Sequence, residues 1–264
     1  MVKAAARIPR TYLATSHGCD GYLARQGEGD MEMSTTTTER LTAKLRLAMP
    51  PTTGGLGSMW EGGDVRATYV EYLRVMHGIV RASVPLMLVG VETCLRRPDD
   101  PVASALGSYL GKHIREEYGH DDWVAEDYQT AGGDPGELRD MTVGGAVAGL
   151  VGAQYYWVRH VHPVALLGYI AVLEGFPPAV ETVDHLAARS GLPRSAFQTL
   201  ERHAVLDQRH RADLHRVIDS LPLESHHETL IGVSALHTAA GIRQITRDLS
   251  IRAAGDGRVP AGAR

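Results

Sequence analysis

Two stretches of this chain place histidine and carboxylate residues at the same spacing. The first spans residues 113–120 and has Glu117 between two terminal histidines, and the second spans 203–210 around Asp207. If each stretch is helical, positions i, i+4 and i+7 lie on one stripe of the helix. Imidazoles mixed with carboxylates suit a first-row metal such as iron, manganese or zinc. The candidate ligands are His113, Glu117, His120, His203, Asp207 and His210.

A seventh candidate ligand, Glu174, follows a segment that is almost wholly apolar from Pro163 onward. A carboxylate at the end of a buried apolar helix is costly unless it is paired or bound to a metal. Glu174 is therefore the natural bridging or terminal carboxylate for the two stripes. Two ordinary explanations stay open: the stripes are solvated helix faces, and Glu174 lies past the core at the turn before Pro177.

Apolar residues recur at helical spacing along most of the chain, and no strand alternation of useful length is present. We therefore predict an all-α domain of six to eight helices. Asp64 caps a long first helix, which Pro85 kinks or divides into two. One continuous helix is predicted from about residue 100 to Ala131, carrying the first stripe. Further helices are predicted near residues 142–160, 163–175, 178–190, 195–220 and 225–253.

Length and composition limit the classes of function. The chain has 264 residues, a net charge of −4 and two cysteines, which argues against a nucleic-acid-binding surface and a disulfide framework. We find no run of 18 apolar residues and no signal-peptide pattern, so no membrane span and a cytoplasmic location are expected. The expected organisation is a flexible N-terminal extension over residues 1–60 with one short helix at 38–48, a single domain over 61–253, and a disordered tail over 254–264.

Several other polar residues have more than one interpretation. His77 lies on the apolar side of the first helix, where a core histidine is a more common explanation than a ligand. Tyr155 and Ile170 are candidate lining residues of a substrate pocket, together with His77. The carboxylates at 122, 126 and 127 are expected on a solvated acidic face, and the histidines at 160 and 162 are expected to be structural or to line a pocket.

The three motifs at residues 113–120, 166–175 and 203–210 resemble those of the haem-oxygenase-like dimetal oxidases, often described as iron-containing redox enzymes. The resemblance covers roughly residues 64–252. It implies a seven-helix haem-oxygenase-like bundle with a non-haem centre of two Fe(II) ions per chain and dioxygen as co-substrate. By resemblance, the metal ligands are Glu117, His120, Glu174, His203, Asp207 and His210. His113 stands where several members have a carboxylate, so its role as a ligand is tentative.

The same resemblance implies an oxidase or oxygenase acting on a small amino-acid-like substrate in specialised metabolism. The implied reactions are N-oxygenation, desaturation or carbon–carbon cleavage. A homodimer is the default expectation, without nucleic acid or membrane as a partner. The residues alone do not exclude hydrolysis at a pair of zinc or manganese ions.

Two other classes of function remain as alternatives. One is an enzyme of the same fold that is not a metal oxidase: a cofactor-free oxidase similar to pyrroloquinoline-quinone synthase, or a thiaminase-like hydrolase. The hydrolase needs a catalytic cysteine, and neither Cys19 nor Cys94 lies in a suitable motif. The other is a non-enzymatic protein that binds haem or metal, in which His77 would serve as a haem ligand.

Overall fold

In a computed structural model, residues 35–49, 58–61 and 63–255 are described, and they form helices without strands. The all-α prediction is confirmed. Two short 3-10 helices, Ser58–Trp60 and Arg194–Phe197, accompany ten α-helices in the described residues, rather than the seven that the resemblance implies. The α-helices are α1 Thr37–Ala48, α2 Val65–Leu95, α3 Pro101–Glu117, α4 His120–Thr130, α5 Pro135–Asp140, α6 Gly145–His160, α7 Ala165–Leu173, α8 Val180–Ser190, α9 Gln198–Ser220 and α10 Ser225–Gly255.

The long helix α2 lies at the centre of the bundle and contacts α3, α4, α5, α6, α8 and α10. It begins as predicted at Asp64, whose carboxylate accepts a hydrogen bond from the amide of Ala67 at 3.1 Å. The helix continues through Pro85, so a division into two helices there was wrong. By length and composition alone α2 could also cross a membrane. Its contacts with six other helices are those of a core helix.

The prediction of one continuous helix over residues 100–131 is wrong, because the helix is interrupted between α3 and α4. Tyr118 has an extended backbone and Gly119 adopts the left-handed conformation, with φ of 85°. A residue in this conformation cannot continue a right-handed helix, and glycine adopts it at little cost. Glu117 is consequently the last residue of α3, and His120 is the first residue of α4.

Helix α7 is buried along its whole length and packs closely against α10. At Gly168 the approach is so close that a Cβ atom would lie 2.2 Å from the carbonyl oxygen of Ile231. The start of α7 is held by His162, which accepts a hydrogen bond from the amide of Val164 and donates one to Asp100 at 2.8 Å. His162 therefore has a structural role, which is one of the two roles predicted for it, and the far end of α7 places Glu174.

Asp127 was wrongly predicted to lie on a solvated face, although Asp122 and Glu126 are exposed. Its side chain is fully buried and accepts hydrogen bonds from the amides of Gln198 and Thr199 at 3.1 and 2.8 Å. These amides begin α9 and have no partner within their helix, so a carboxylate from another helix supplies it. The two helices α4 and α9 are thereby tied together.

The predicted short helix near residues 38–48 is present as α1 and contacts α9 and α10. The rest of the predicted N-terminal extension falls mostly on residues 1–34 and 50–57, which lie outside the described residues. The predicted tail lies outside them from residue 256, and residues 254 and 255 end α10.

Candidate metal centre

The structure brings six of the seven candidate ligands into two groups that share one residue. In each group the potential ligand atoms all lie within 4.8 Å of one another. The first group is His113, Glu117, Glu174 and His210, and the second group is Glu117, His120 and His203. Because Glu117 belongs to both, its two carboxylate oxygens could each serve one metal ion.

Four helices supply these side chains, and the local breaks in the chain decide where they point. His113 and Glu117 lie one turn apart at the end of α3, and the break at Gly119 turns His120 toward the same space. Glu174 is the residue that directly follows α7. The stripe of α9 is continuous, so His203 and His210 project from one face of a single helix.

Glu117 and Glu174 carry the contacts that link the ligands. One oxygen of Glu117, Oε2, lies 3.1 Å from Nδ1 of His120, and the other, Oε1, lies 3.5 Å from Nδ1 of His210. Glu174 approaches the same His210 nitrogen at 3.6 Å through Oε2, and its Oε1 is hydrogen-bonded to Nε2 of His113 at 2.7 Å. The first group is therefore already held together by a carboxylate–imidazole hydrogen bond.

A neighbouring group outside the centre orients one of the imidazoles, and a carboxylate lies near a second. Nδ1 of His203 donates to the carbonyl oxygen of Thr199 at 2.8 Å, which leaves Nε2 with a free lone pair in the neutral ring. Nδ1 of His113 lies 3.7 Å from Glu116, whose carboxylate also binds Arg209 at 3.2 Å. Such outer partners fix the ring tautomer and raise the basicity of a ligating histidine.

The acid–base properties of the ligands follow from burial and from their mutual charges. Burial favours a raised pKa for Glu117, but the imidazoles of His120, His113 and His203 outweigh it and lower the pKa. Burial lowers the pKa of His113, yet Glu174 and the Glu117 and Glu116 carboxylates reverse the effect and raise it. Glu117 is therefore an anion at neutral pH, which suits a carboxylate shared between two cations.

Asp207 belongs to neither group, although it lies on the same stripe of α9 as His203 and His210. It is buried, and its Oδ1 has no hydrogen-bond partner. Burial raises its pKa to about 8, and the carboxylates of Glu174 and Glu117 add to the effect. The Asp207 side chain thus experiences the negative charge of the centre without being held by another residue.

The unpartnered polar atoms of the described residues test whether this site fits a metal. Buried polar atoms nearly always have a hydrogen-bond partner in folded proteins. Several here have none, and half of them belong to the candidate ligands: Glu117 Oε1, His120 Nδ1, Glu174 Oε2, Asp207 Oδ1, His210 Nδ1 and His210 Nε2. A cation bound among them would supply the missing partner, so the residues present fit a metal centre.

A small cavity of about 20 Å³ adjoins the first group, and Ile170, one of the predicted pocket residues, is among the residues that line it. Its volume is close to that of one water-sized molecule. The other pocket candidates, Tyr155 and His77, are not among its lining residues. His77 is buried with an unpartnered Nδ1, and burial lowers its pKa, as does Arg81. It belongs to neither group of ligands.

Three aromatic residues beside the centre were missed by the sequence-based prediction. Tyr109 stacks on His113 with ring centres 5.5 Å apart, and Trp123 stacks on His120 at 4.0 Å. Tyr169 lines the small cavity, and its buried hydroxyl has no partner. The positions of Tyr109 and Trp123 could have been predicted from the sequence, because residues three or four positions from a ligand on one helix lie beside that ligand.

Comparison of the fold with solved structures gives clear matches at low sequence identity. A domain of unknown function with a haem oxygenase-like fold from Shewanella denitrificans superposes with a TM-score of 0.70 at 13% identity, over 85% of this chain and 95% of that one. A TenA homologue from Pseudomonas syringae pv. tomato gives a TM-score of 0.63 at 13% identity, over 87% and 99%. The chain therefore has the haem oxygenase-like fold, as the resemblance implied.

Comparison of the sequence with curated proteins found no match. The family model of the iron-containing redox enzymes, in contrast, matches residues 74–240, which include every candidate ligand. That range covers well over half of the chain and runs from the middle of α2 into α10. The chain belongs to the family of iron-containing redox enzymes.

Proposed function

We propose that the protein is an oxygen-dependent oxidase that uses two iron ions per chain to oxidise a small substrate derived from an amino acid. The observation that supports this most directly is the pair of ligand groups joined by Glu117. A shared carboxylate is the feature that distinguishes a site for two metals from two unrelated sites. Family membership favours iron as the metal.

Each side chain has a definite task in this proposal. His113, Glu117, Glu174 and His210 hold one ion, and Glu117, His120 and His203 hold the other. Asp207 lies beside them as an additional acid whose proton leaves when positive charge arrives. When bound, Fe(II) supplies the electrons that activate dioxygen for oxidation of the substrate.

Burial of the ligands supports an oxidative role. His113, His120 and His210 are each at most 2% exposed, so bulk water has little access to their ring nitrogens. The cavity beside Glu174 is lined mainly by apolar residues outside the ligand group, among them Met87 and Leu166, with Ser83 as a polar exception. A mostly apolar wall next to a redox centre limits side reactions of a reactive oxidant with solvent.

Two observations favour an oxidase over a thiaminase-like hydrolase: the chain belongs to the redox family, and Cys94 is poorly suited to act as a nucleophile. Cys94 is buried, and burial raises its pKa to about 11, so its thiolate is scarce at neutral pH. Cys19 lies outside the described residues. We retain the cytoplasmic location, the homodimer and the amino-acid-derived substrate as parts of the proposal that come from the sequence.

Anaerobic loading with Fe(II), followed by removal of free metal and iron analysis, tests the proposal. We expect about two irons per chain, and rapid oxygen consumption on mixing with aerated buffer. His120→Ala and Asp207→Ala should each abolish the iron-dependent consumption. His237→Ala is the matched control, because His237 is an exposed histidine that belongs to neither group.

The outcomes separate the competing functions. Absence of iron uptake would overturn the proposal, as would full oxygen consumption in both His120→Ala and Asp207→Ala. A Soret band on haem titration that disappears in His77→Ala would support the haem-binding alternative instead. Oxidation of substrate without bound metal would support a cofactor-free oxidase.

A further inference from the structure

Trp123 connects the two helices that carry the imidazoles of the second group. It lies on α4, three residues after His120, and the two rings stack with centres 4.0 Å apart and planes at 26°. From α9, the guanidinium carbon of Arg202 lies 4.4 Å from the centre of the same indole. The next residue on α9, His203, has its ring 6.2 Å from Trp123 in an edge-on arrangement.

The indole is in close contact with both helices. The His120 imidazole from α4 stacks on it, and the Arg202 guanidinium from α9 lies over it within 4.4 Å of a ring centre. Arg202 is itself held by a hydrogen bond to Gln198 at 3.2 Å. The stack therefore fixes the plane of the His120 ring with respect to α9.

The two ligand groups have separate aromatic supports. The aromatic contacts of Trp123 within the described chain are with His120 and His203, both ligands of the second group. In the first group, His113 is stacked on Tyr109 with planes at 12°. A change at Trp123 is therefore transmitted to one group and not equally to both.

We propose that Trp123 is the positioning residue of the second metal site, acting through the rings of His120 and His203 without binding metal itself. The inference rests on the proposed function, because it assumes that both groups bind metal. The second group has three ligand residues against four in the first, so it depends more on the correct placement of each ring. Outer residues that orient metal ligands typically contribute 10- to 100-fold to metal affinity.

Stepwise binding of Co(II) tests the inference without any need for turnover. Co(II) is titrated anaerobically into the full chain, and binding is followed by visible absorption and by equilibrium dialysis. His203→Ala identifies the step that belongs to the second group. We expect Trp123→Leu, which keeps an apolar side chain but removes the ring face, to weaken this same step by about 10- to 100-fold and to leave the other step unchanged.

Three further variants sharpen the comparison. Trp123→Phe restores a ring face and should recover most of the lost affinity. Arg202→Ala removes only the outer cation and should weaken the second-group step by about 2- to 5-fold. Trp157→Leu is the matched control, because Trp157 also packs against a histidine, His237, that is not a candidate ligand; both steps should stay unchanged.

The results distinguish failure of the inference from failure of the proposed function. If the unmodified chain binds fewer than two Co(II) ions, the dimetal site itself is wrong. If the unmodified chain binds two Co(II) ions, two results would overturn the inference. One is that Trp123→Leu binds both ions with unchanged dissociation constants. The other is that Trp123→Leu and Trp123→Phe are both folded and lose affinity equally at both binding steps. Selective loss in Trp123→Leu with recovery in Trp123→Phe supports it, and circular dichroism establishes that each variant is folded.

Discussion

Glu117 and Asp207 show how the same type of side chain acquires different properties within one centre. Glu117 is surrounded by imidazoles, so its pKa is lowered despite burial. Asp207 is buried near Glu117 and Glu174, so its pKa is raised to about 8. The metal-free protein therefore carries a proton on Asp207 at neutral pH, while Glu117 is charged.

This difference predicts a pH dependence of metal binding. An arriving cation lowers the pKa of Asp207, so the proton on its carboxyl is released when metal binds at pH 7. We expect the unmodified chain to release up to one proton more than Asp207→Asn at pH 7, and no more than Asp207→Asn at pH 9, where Asp207 is already ionised. The apparent metal affinity should accordingly rise between pH 6 and 8.

Proton release is measured with a pH indicator in weakly buffered solution during anaerobic addition of Co(II). The Asp207→Asn variant keeps the size and hydrogen-bonding capacity of the side chain without its charge. Equal proton release by the two proteins at pH 7 would contradict the prediction.

The two segments that carry candidate ligands, residues 113–120 and 203–210, have the same ligand spacing but different backbone structures. Sequence patterns predicted the structure of only one of them. The stripe of α9 was predicted correctly as one helix. The stripe at residues 113–120 instead crosses a break at Gly119, because helical spacing of the ligands does not reveal the backbone conformation between them. Asp127 was misjudged for a similar reason: the amides it caps belong to α9, about 70 residues further along the chain.

The break predicts an energetic role for Gly119. Its φ of 85° is unfavourable for any residue with a Cβ atom, whereas a Cβ there would meet only Asp122, at an ordinary 3.8 Å. Gly119→Ala should therefore lower the free energy of unfolding by about 1–2 kcal/mol, through the backbone alone. Gly111→Ala lies inside α3, where an added methyl group has open space around it, and should instead raise the free energy of unfolding by about 0.5–1 kcal/mol.

Urea unfolding of the metal-free variants, monitored by circular dichroism, measures both changes. The pair controls for the general effect of adding a methyl group to a glycine. A stabilising effect at both positions would show that the left-handed conformation at Gly119 is not a constraint.

At the scale of the whole molecule, the fold and the clustering of six candidate residues were largely predictable, and the finer arrangement was not. Helical periodicity predicted the all-α architecture, and paired motifs predicted the residues that meet in the two groups. The sharing of Glu117, the position of Asp207 outside both groups and the stack on Trp123 depend on how four helices pack. Such distances between helices are not encoded in the spacing along any one of them.

The buried, unpartnered ligand atoms predict that metal stabilises the whole fold. A ligand present at 100 times its dissociation constant adds about 2.7 kcal/mol to the free energy of unfolding. For a chain of this size the melting temperature should rise by roughly 5–10 °C. Glu117→Gln should lose most of the rise, because this one change removes a ligand from both groups.

Anaerobic differential scanning calorimetry with and without Fe(II) measures the rise. His237→Ala again serves as the control and should retain it in full. An equal rise in Glu117→Gln would mean that the stabilising metal binds elsewhere.

The break between α3 and α4 also changes how related chains should be sought. A search for two ligands spaced as on a continuous helix would accept any residue between Glu117 and His120. The geometry at residue 119 requires a residue that tolerates the left-handed conformation, so the informative signature is glutamate, any residue, glycine, histidine. In a newly sequenced chain, a bulky β-branched residue in place of that glycine would argue against a site of this shape, even where every ligand is present.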